Sequence, residues 1–285
     1  MSQILALTAS LLWGMADYGG GALTRRLPAL TVVVASQAAA ALLLVPAVLV
    51  TGGPGVSGAG LWYAVAAGVI GPFAILAFYR ALSLGPMGVV SPLATVGVAV
   101  PVGVGLLLGE RPGPAQAAGI AVAVLGVALA GGPRRGGGAV TARVLVLTLG
   151  AAVGMGTVMA LIAQASAGGG LLSVLCVQRL CNVAVGGAVL LAARRGRPSA
   201  GAGGAGGVLR GLPALTAVGV ADVAANAAFA AASHRGSVAV AAVLASLYPV
   251  VTAVMARGLL KERLRRVQVL GAGLAVAGTL LLAAG

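Results

Sequence analysis

The sequence predicts an all-α integral membrane protein whose ten transmembrane helices form two inverted five-helix repeats. Three observations carry this. Of 285 residues, 60% are hydrophobic and only 8% are charged, with a mean hydropathy of +1.10. A water-soluble globular domain of this length does not have such a composition. The second half of the chain also repeats the first: Glu110, Arg111, Gln116, Gly119 and Gly126 fall on Glu262, Arg263, Gln268, Gly271 and Gly278, all at an offset of 152. Finally, the basic residues gather in every second break between apolar runs, as the connections of a multi-spanning protein do.

Runs of about 18 mainly apolar residues are long enough to cross a hydrocarbon core of about 30 Å. Ten such segments fall at 3–23, 29–50, 61–82, 86–108, 115–131, 143–163, 171–193, 212–232, 237–260 and 267–284. The first has no basic stretch before it and no small-residue cleavage site, and its charges, Arg25 and Arg26, follow it. It reads as a retained spanning helix and not a signal peptide. Segments one to five make a first repeat over residues 1–131, and six to ten make a second over 143–285. Residues 132–142 form a Gly/Pro/Arg linker, and Arg194 to Gly211 reads as a flexible Gly-rich loop. The repeat extends to the first helix, where Thr8, Gly14 and Met15 fall on Thr148, Gly154 and Met155, and Gln37 falls on Gln178.

Because five is odd, the second copy enters the membrane from the opposite side, which makes the halves inverted repeats about an axis in the membrane plane. Loop charge supports the count independently. Fifteen of the 18 basic residues lie at odd-numbered connections, against Arg111 and Arg235 at even ones and Arg179 within a helix. By the positive-inside rule the odd connections are cytoplasmic and both termini lie outside.

The formal charge of +14 is therefore a topology signal, and no aromatic interleaving of basic residues points to nucleic acid. Cys176 and Cys181 lie about 140° apart around one helix, which excludes a disulfide between helical neighbours. With a single His and no Cys-x-x-Cys, no metal-site spacing exists and no cofactor is expected.

The segments contain motifs that resemble one known family. L-L-W-G-M-A-D at 11–17, F-Y-R-A-L-S-L-G-P at 78–86, L-G-E-R-P at 108–112, L-Y-P at 247–249 and K-E-R at 261–263 are similar to the drug/metabolite transporter superfamily, and within it the EamA family. The resemblance covers essentially the whole chain. It implies ten helices in two repeats around a central cavity, and export of small metabolites or drugs. Many members of that family have cytoplasmic termini, the reverse of what loop charge implies here.

Only four acids exist, so each can be weighed. Glu110 and Glu262 occupy equivalent joints before the fifth and tenth segments, where a helix N-terminus favours an anion, and read as structural. Asp17 and Asp222 lie within apolar segments, where a charge costs at least about 2.5 kcal/mol and normally faces a cavity or a partner. Trp13 and Asp17 are four apart and share a helix face. Arg179 lies roughly 21 Å of helix from Arg194 and about 12 Å from the other end, too deep to snorkel. Gln178, Arg179 and Asn182 form one polar cluster, and Asp222 and Asn226 another. Arg179 and Asp222 are expected at a central cavity, either paired as a structural ion pair or holding opposite ends of a substrate. The resemblance implies a basic residue in the second helix as well as the seventh, but Gln37 stands there.

Pro92, Pro101 and Pro249, inside the fourth and ninth segments, favour kinks, serving either rocking of the halves or static packing. Tyr248, with Thr252 four residues on, and Tyr79 with Arg80 are second-rank cavity candidates.

The expected function is secondary-active export of a small molecule from a cell inner (plasma) membrane, by a monomer or homodimer in the bilayer. No Gly-x4-Gly-Lys-Ser/Thr phosphate cradle is present, so a gradient supplies the energy. If protons drive it, Asp222 or Asp17 carries them. A non-transporting scaffold or receptor remains an alternative. A lipid-modifying enzyme is a weaker one, because it needs clustered acids, His or Cys, and His234 lies near a loop.

Overall fold

The structure, a computed structural model, describes residues 2–51, 55–56, 58–100, 113–130, 141–166, 170–195, 205–235, 244–245, 247–261 and 266–284. Each expected segment contains helix: α1 (Ser2–Thr24), α2 (Ala29–Thr51), α3 (Ala59–Leu84), α4 (Met87–Ala94), α5 (Pro114–Ala130), α6 (Ala142–Ser166), α7 (Leu171–Arg195), α8 (Ala205–Arg235), α9 (Tyr248–Leu259) and α10 (Arg266–Ala284). Among the described residues five stretches are long and apolar enough to cross a membrane: Ala29–Thr51, Ala59–Leu84, Ala142–Ser166, Leu171–Ala193 and Gly207–Phe229. Glu110, Glu262 and Pro101 lie outside the described residues.

Three boundaries depart from the sequence reading. The fourth segment is interrupted after Ala94 by a 3-10 turn, Thr95–Val98, before α-helix resumes at residues 99–100. Pro92 removes a backbone donor just before this point. Gly97 in the turn also lies so close to α6 that an added Cβ would collide with the Ala152 carbonyl oxygen. Pro249 does not kink a helix interior. It stands in the first turn of α9 after Leu247 as N-cap, where its missing N–H costs nothing. The loop expected up to Gly211 is shorter, because α8 already begins at Ala205. Val208 packs against the main core cluster, and this tertiary contact outweighs the poor helix propensity of the glycines there.

Helix packing follows the internal repeat. Under exchange of each helix with the one five places on, α3 packs on α6 as α8 packs on α1, and α2 packs on α8 as α7 packs on α3. The pairs α2–α7, α4–α9 and α5–α10 map onto themselves. The close approaches match too. Gly68 on α3 lies against the Gln178 carbonyl and Cys181 on α7, and Gly219 on α8 lies against the Ser36 carbonyl and Ala40 on α2. Gly126 on α5 sits against the backbone of Gly271 and Ala275 on α10. Small residues at these crossings let backbones approach where no hydrophobic effect drives helices together. The largest buried cluster, including Phe78, Leu82, Met87, Val90 and Leu93, joins α3 and α4 to Val144 and Ala151 of α6.

Candidate functional site

Three helices, α2, α7 and α8, bring polar side chains of the apolar segments together. Arg179, on the third turn of α7, is 8% exposed. Its Nη2 donates to Asp222 Oδ2 of α8 at 2.6 Å, and its Nη1 donates to Gln37 Oε1 of α2. Asn182, one turn further along α7, donates to the same Gln37 oxygen at 3.0 Å. Asn226 Nδ2 donates to the Asp222 backbone carbonyl at 2.7 Å and reaches Asp222 Oδ1 at 3.4 Å. The Arg179–Asp222 pair anticipated as one alternative is therefore formed. Gln37 occupies the place of the missing second basic residue and accepts from Arg179, and so ties the first half of the chain to the second.

The network is incompletely satisfied by protein groups. Among the described residues the buried atoms Arg179 Nε, Asn182 Oδ1, Gln178 Oε1 and Ser173 Oγ have no hydrogen-bond partner. Buried polar groups are nearly always paired, so such a cluster marks a place for water or ligand. Arg179, Ser173 and Asn226 line a cavity of about 580 Å³ between α2, α7 and α8, whose other walls are mainly apolar, among them Leu43, Leu44, Leu171, Leu175 and Val223. It extends from Thr51 and Gly170, at the α2 and α7 ends, inwards to Arg179.

Asp17 stands apart from the guanidinium. Its Oδ2 accepts from the Ser91 hydroxyl of α4 at 3.4 Å, and it lies close enough to Asp222 for the two carboxylates to feel each other's charge. One turn earlier on α1, Trp13 contacts Phe229 of α8 at 5.8 Å between ring centroids and Tyr248 of α9 edge-on at 6.3 Å. Tyr248 also lies within electrostatic reach of Asp17. One turn later, Gly20 leaves room for the ring of Tyr79, which an added Cβ would strike. Tyr79 is buried, is hydrogen-bonded to the Ser36 side chain and is in electrostatic reach of Asp17, Asp222 and Arg179. Asp17 is thus bounded by an aromatic cluster on one side and a tyrosine on the other. Thr252 of α9, fully buried, donates to the Gly14 carbonyl at 3.2 Å and pins α9 to α1 beside it.

Trp13, Asp17, Gln37, Arg179, Asn182, Asp222, Asn226 and Tyr248 all belong to this region. Gln178 is buried, but its own backbone faces Gly68, and Arg80 is exposed. Sequence reasoning missed Ser91, Ser36 and Phe229. Serines are too common in helices to signal anything alone. Phe229 had a signal in its rarity, since the chain holds two tryptophans, four tyrosines and three phenylalanines. Among the described residues no group of three or more His, Cys, Asp or Glu is placed to hold a metal ion.

Comparison with known proteins agrees with the geometry. A family model for the EamA-like transporter family matches the chain twice, over residues 1–132 and 142–284. No curated protein matches. A solved structure, "Crystal structure of protein", superposes with a TM-score of 0.62 at 18% identity, covering 99% of this chain and 96% of that one, a likeness of fold. With the family's pattern found in both halves and a polar site built across them inside apolar helices, the chain belongs to the EamA-like transporter family.

Proposed function

We propose that this protein is a secondary-active exporter of small metabolites or drugs in the cell inner (plasma) membrane, working by alternating access around the Arg179–Asp222–Gln37 site. The ten helical segments are its ten spans, and residues 1–131 and 143–285 are its two inverted repeats, joined by 132–142. The exchange symmetry of the helix packing supports this arrangement. One observation carries the functional reading: a charged, hydrogen-bonded network linking both halves lies within apolar helices at the inner end of a 580 Å³ cavity. Ionisable groups at membrane depth mark substrate and ion pathways, and inverted-repeat transporters bind at the repeat interface. A scaffold needs no such network, and among the described residues no group of three or more His, Cys, Asp or Glu is placed to hold a metal for an enzyme's chemistry.

Asp17 is the carboxylate available for proton coupling, because Asp222 is committed to Arg179. Loop charge places the cavity mouth, at the even-numbered connections, on the outer side.

The test compares intracellular and extracellular metabolites by untargeted mass spectrometry in cells carrying wild type, Arg179→Ala or an empty vector. A compound that accumulates outside with wild type alone supports the reading. Identical profiles in all three, with the protein in the membrane, count against export.

A further inference from the structure

The cavity between α2, α7 and α8 joins two kinds of wall. Arg179 stands at its inner end and Ser173 lies closer to the mouth on the same helix, each more than nine-tenths buried, at 8% and 7% exposed. Arg179 Nε and Ser173 Oγ both lack a hydrogen-bond partner among the described residues. Leaving such groups unpaired is costly, and a guest that supplies the partners removes the cost. The wall between and around them is mainly aliphatic, including Leu43, Leu44, Leu175 and Val223. Water completes the polar groups but leaves an apolar wall that it does not wet. A molecule with a polar head and an aliphatic tail fills both.

Charge decides the head. Among the described residues Arg179 is the one ionisable group on the cavity wall, and Asp222 already neutralises it. A carboxylate or phosphate head would set a second negative charge beside Asp222, and an ammonium head would face the guanidinium. Like charges repel strongly in a site of low dielectric. An uncharged head avoids both costs: one oxygen accepts from Arg179 Nε, and a second hydroxyl or carbonyl pairs with the Ser173 hydroxyl. Size and access decide the tail. The volume, about 580 Å³, lies in the range of sites for drug-sized molecules, about 300–1,000 Å³, and suits one short chain rather than the two of a bilayer lipid. Leu43 and Leu172 of the wall are 42% and 39% exposed on apolar helices, so the cavity borders the hydrocarbon, where an amphiphile concentrates.

We infer that this cavity binds an uncharged, single-tailed amphiphile whose head carries two or more hydrogen-bonding oxygens, as a monoacyl ester of a polyol does, and that this is the substrate class of the transporter. The inference rests on the transport reading above and narrows it. Arg179 Nε and Ser173 Oγ hold the head, the leucines hold the tail, and the Arg179–Asp222 pair selects against charge by being neutral already.

The experiment uses the purified full chain in phosphatidylcholine nanodiscs, with empty nanodiscs measuring partition into lipid. Tritiated monooctanoylglycerol should bind saturably above the empty discs. Unlabelled monooctanoylglycerol should displace it, and octanoate, octyltrimethylammonium and dioctanoylglycerol should do so at least about tenfold less well. Ser173→Ala should weaken binding about fivefold, the worth of one hydrogen bond. The fold does not depend on that hydroxyl, because no protein group among the described residues bonds it. Ala47→Trp, which narrows the cavity from α2 without touching the ion pair, should abolish binding. Both variants must elute as one monodisperse species. No saturable binding, equal displacement by either charged octyl compound, or unchanged affinity in Ser173→Ala overturns the inference. Equal displacement by dioctanoylglycerol also overturns it, assigning the cavity to a two-tailed bilayer lipid. The metabolite comparison separates the two claims. Binding with identical profiles in wild-type and vector cells leaves the amphiphile site standing and removes the transport reading. Absent binding together with export of a charged metabolite does the reverse.

Discussion

The Arg179–Asp222 pair makes the sharpest energetic prediction. Asp222→Ala strips the guanidinium of its charge partner and leaves it with the Gln37 carbonyl. Removing one member of a buried pair costs about 3–5 kcal/mol, because the other charge stays desolvated and uncompensated. The Arg179 side chain is 9% exposed and that of Asp222 is 22% exposed, so water partly reaches the pair. The loss should therefore fall at the lower end, about 3 kcal/mol. Arg179→Met leaves Asp222 with Asn226 alone and should cost a similar amount. The double variant Arg179→Met/Asp222→Leu removes both charges and should lose less than the sum, with a coupling of about 2 kcal/mol. Reversible unfolding in mixed detergent–SDS micelles, followed by circular dichroism, gives the four free energies of the cycle. Additivity within about 0.5 kcal/mol would refute the reasoning, because the two side chains would then not share an interaction in the folded protein.

Other consequences can be measured in the same preparations. Gly97→Ala drives a methyl into the Ala152 carbonyl and should cost about 1–3 kcal/mol, whereas Gly187→Ala, mid-helix in open space, should be neutral or stabilising by up to about 1 kcal/mol; equal effects at the two sites would remove the close α4–α6 crossing. In a Cys176→Ala/Cys181→Ser background, Ser57→Cys at an even connection should react with an impermeant maleimide on intact cells. Ser199→Cys, at an odd connection, should react only after lysis; the opposite pattern reverses the orientation read from loop charge. In proteoliposomes Asp17→Asn should make efflux insensitive to an imposed proton gradient. An undiminished gradient response in both Asp17→Asn and Asp222→Asn would rule out carboxylate coupling.

The sequence by itself determined the membrane class, the repeat and the approximate place of each described helix, though not the 3-10 break after Ala94 or the early start of α8. Apolar run length and charged breaks are local properties, and the bilayer imposes them directly. It also singled out Arg179, Asp17 and Asp222, because a charge inside an apolar run is conspicuous without any structure. What it left open was which face each helix turns to which neighbour. A soluble helix announces its buried side by an apolar stripe, but lipid is as apolar as a protein core, so these helices are apolar all round. That Gln37 closes the Arg179 network, that Ser91 is the hydrogen-bond partner of Asp17, and that Phe229 and Tyr248 close around Trp13 are facts of rotation and proximity between helices far apart in the chain. Tertiary packing alone decided them, through glycine crossings such as Gly68 on Cys181 and Gly219 on Ala40, which fix how the two halves meet.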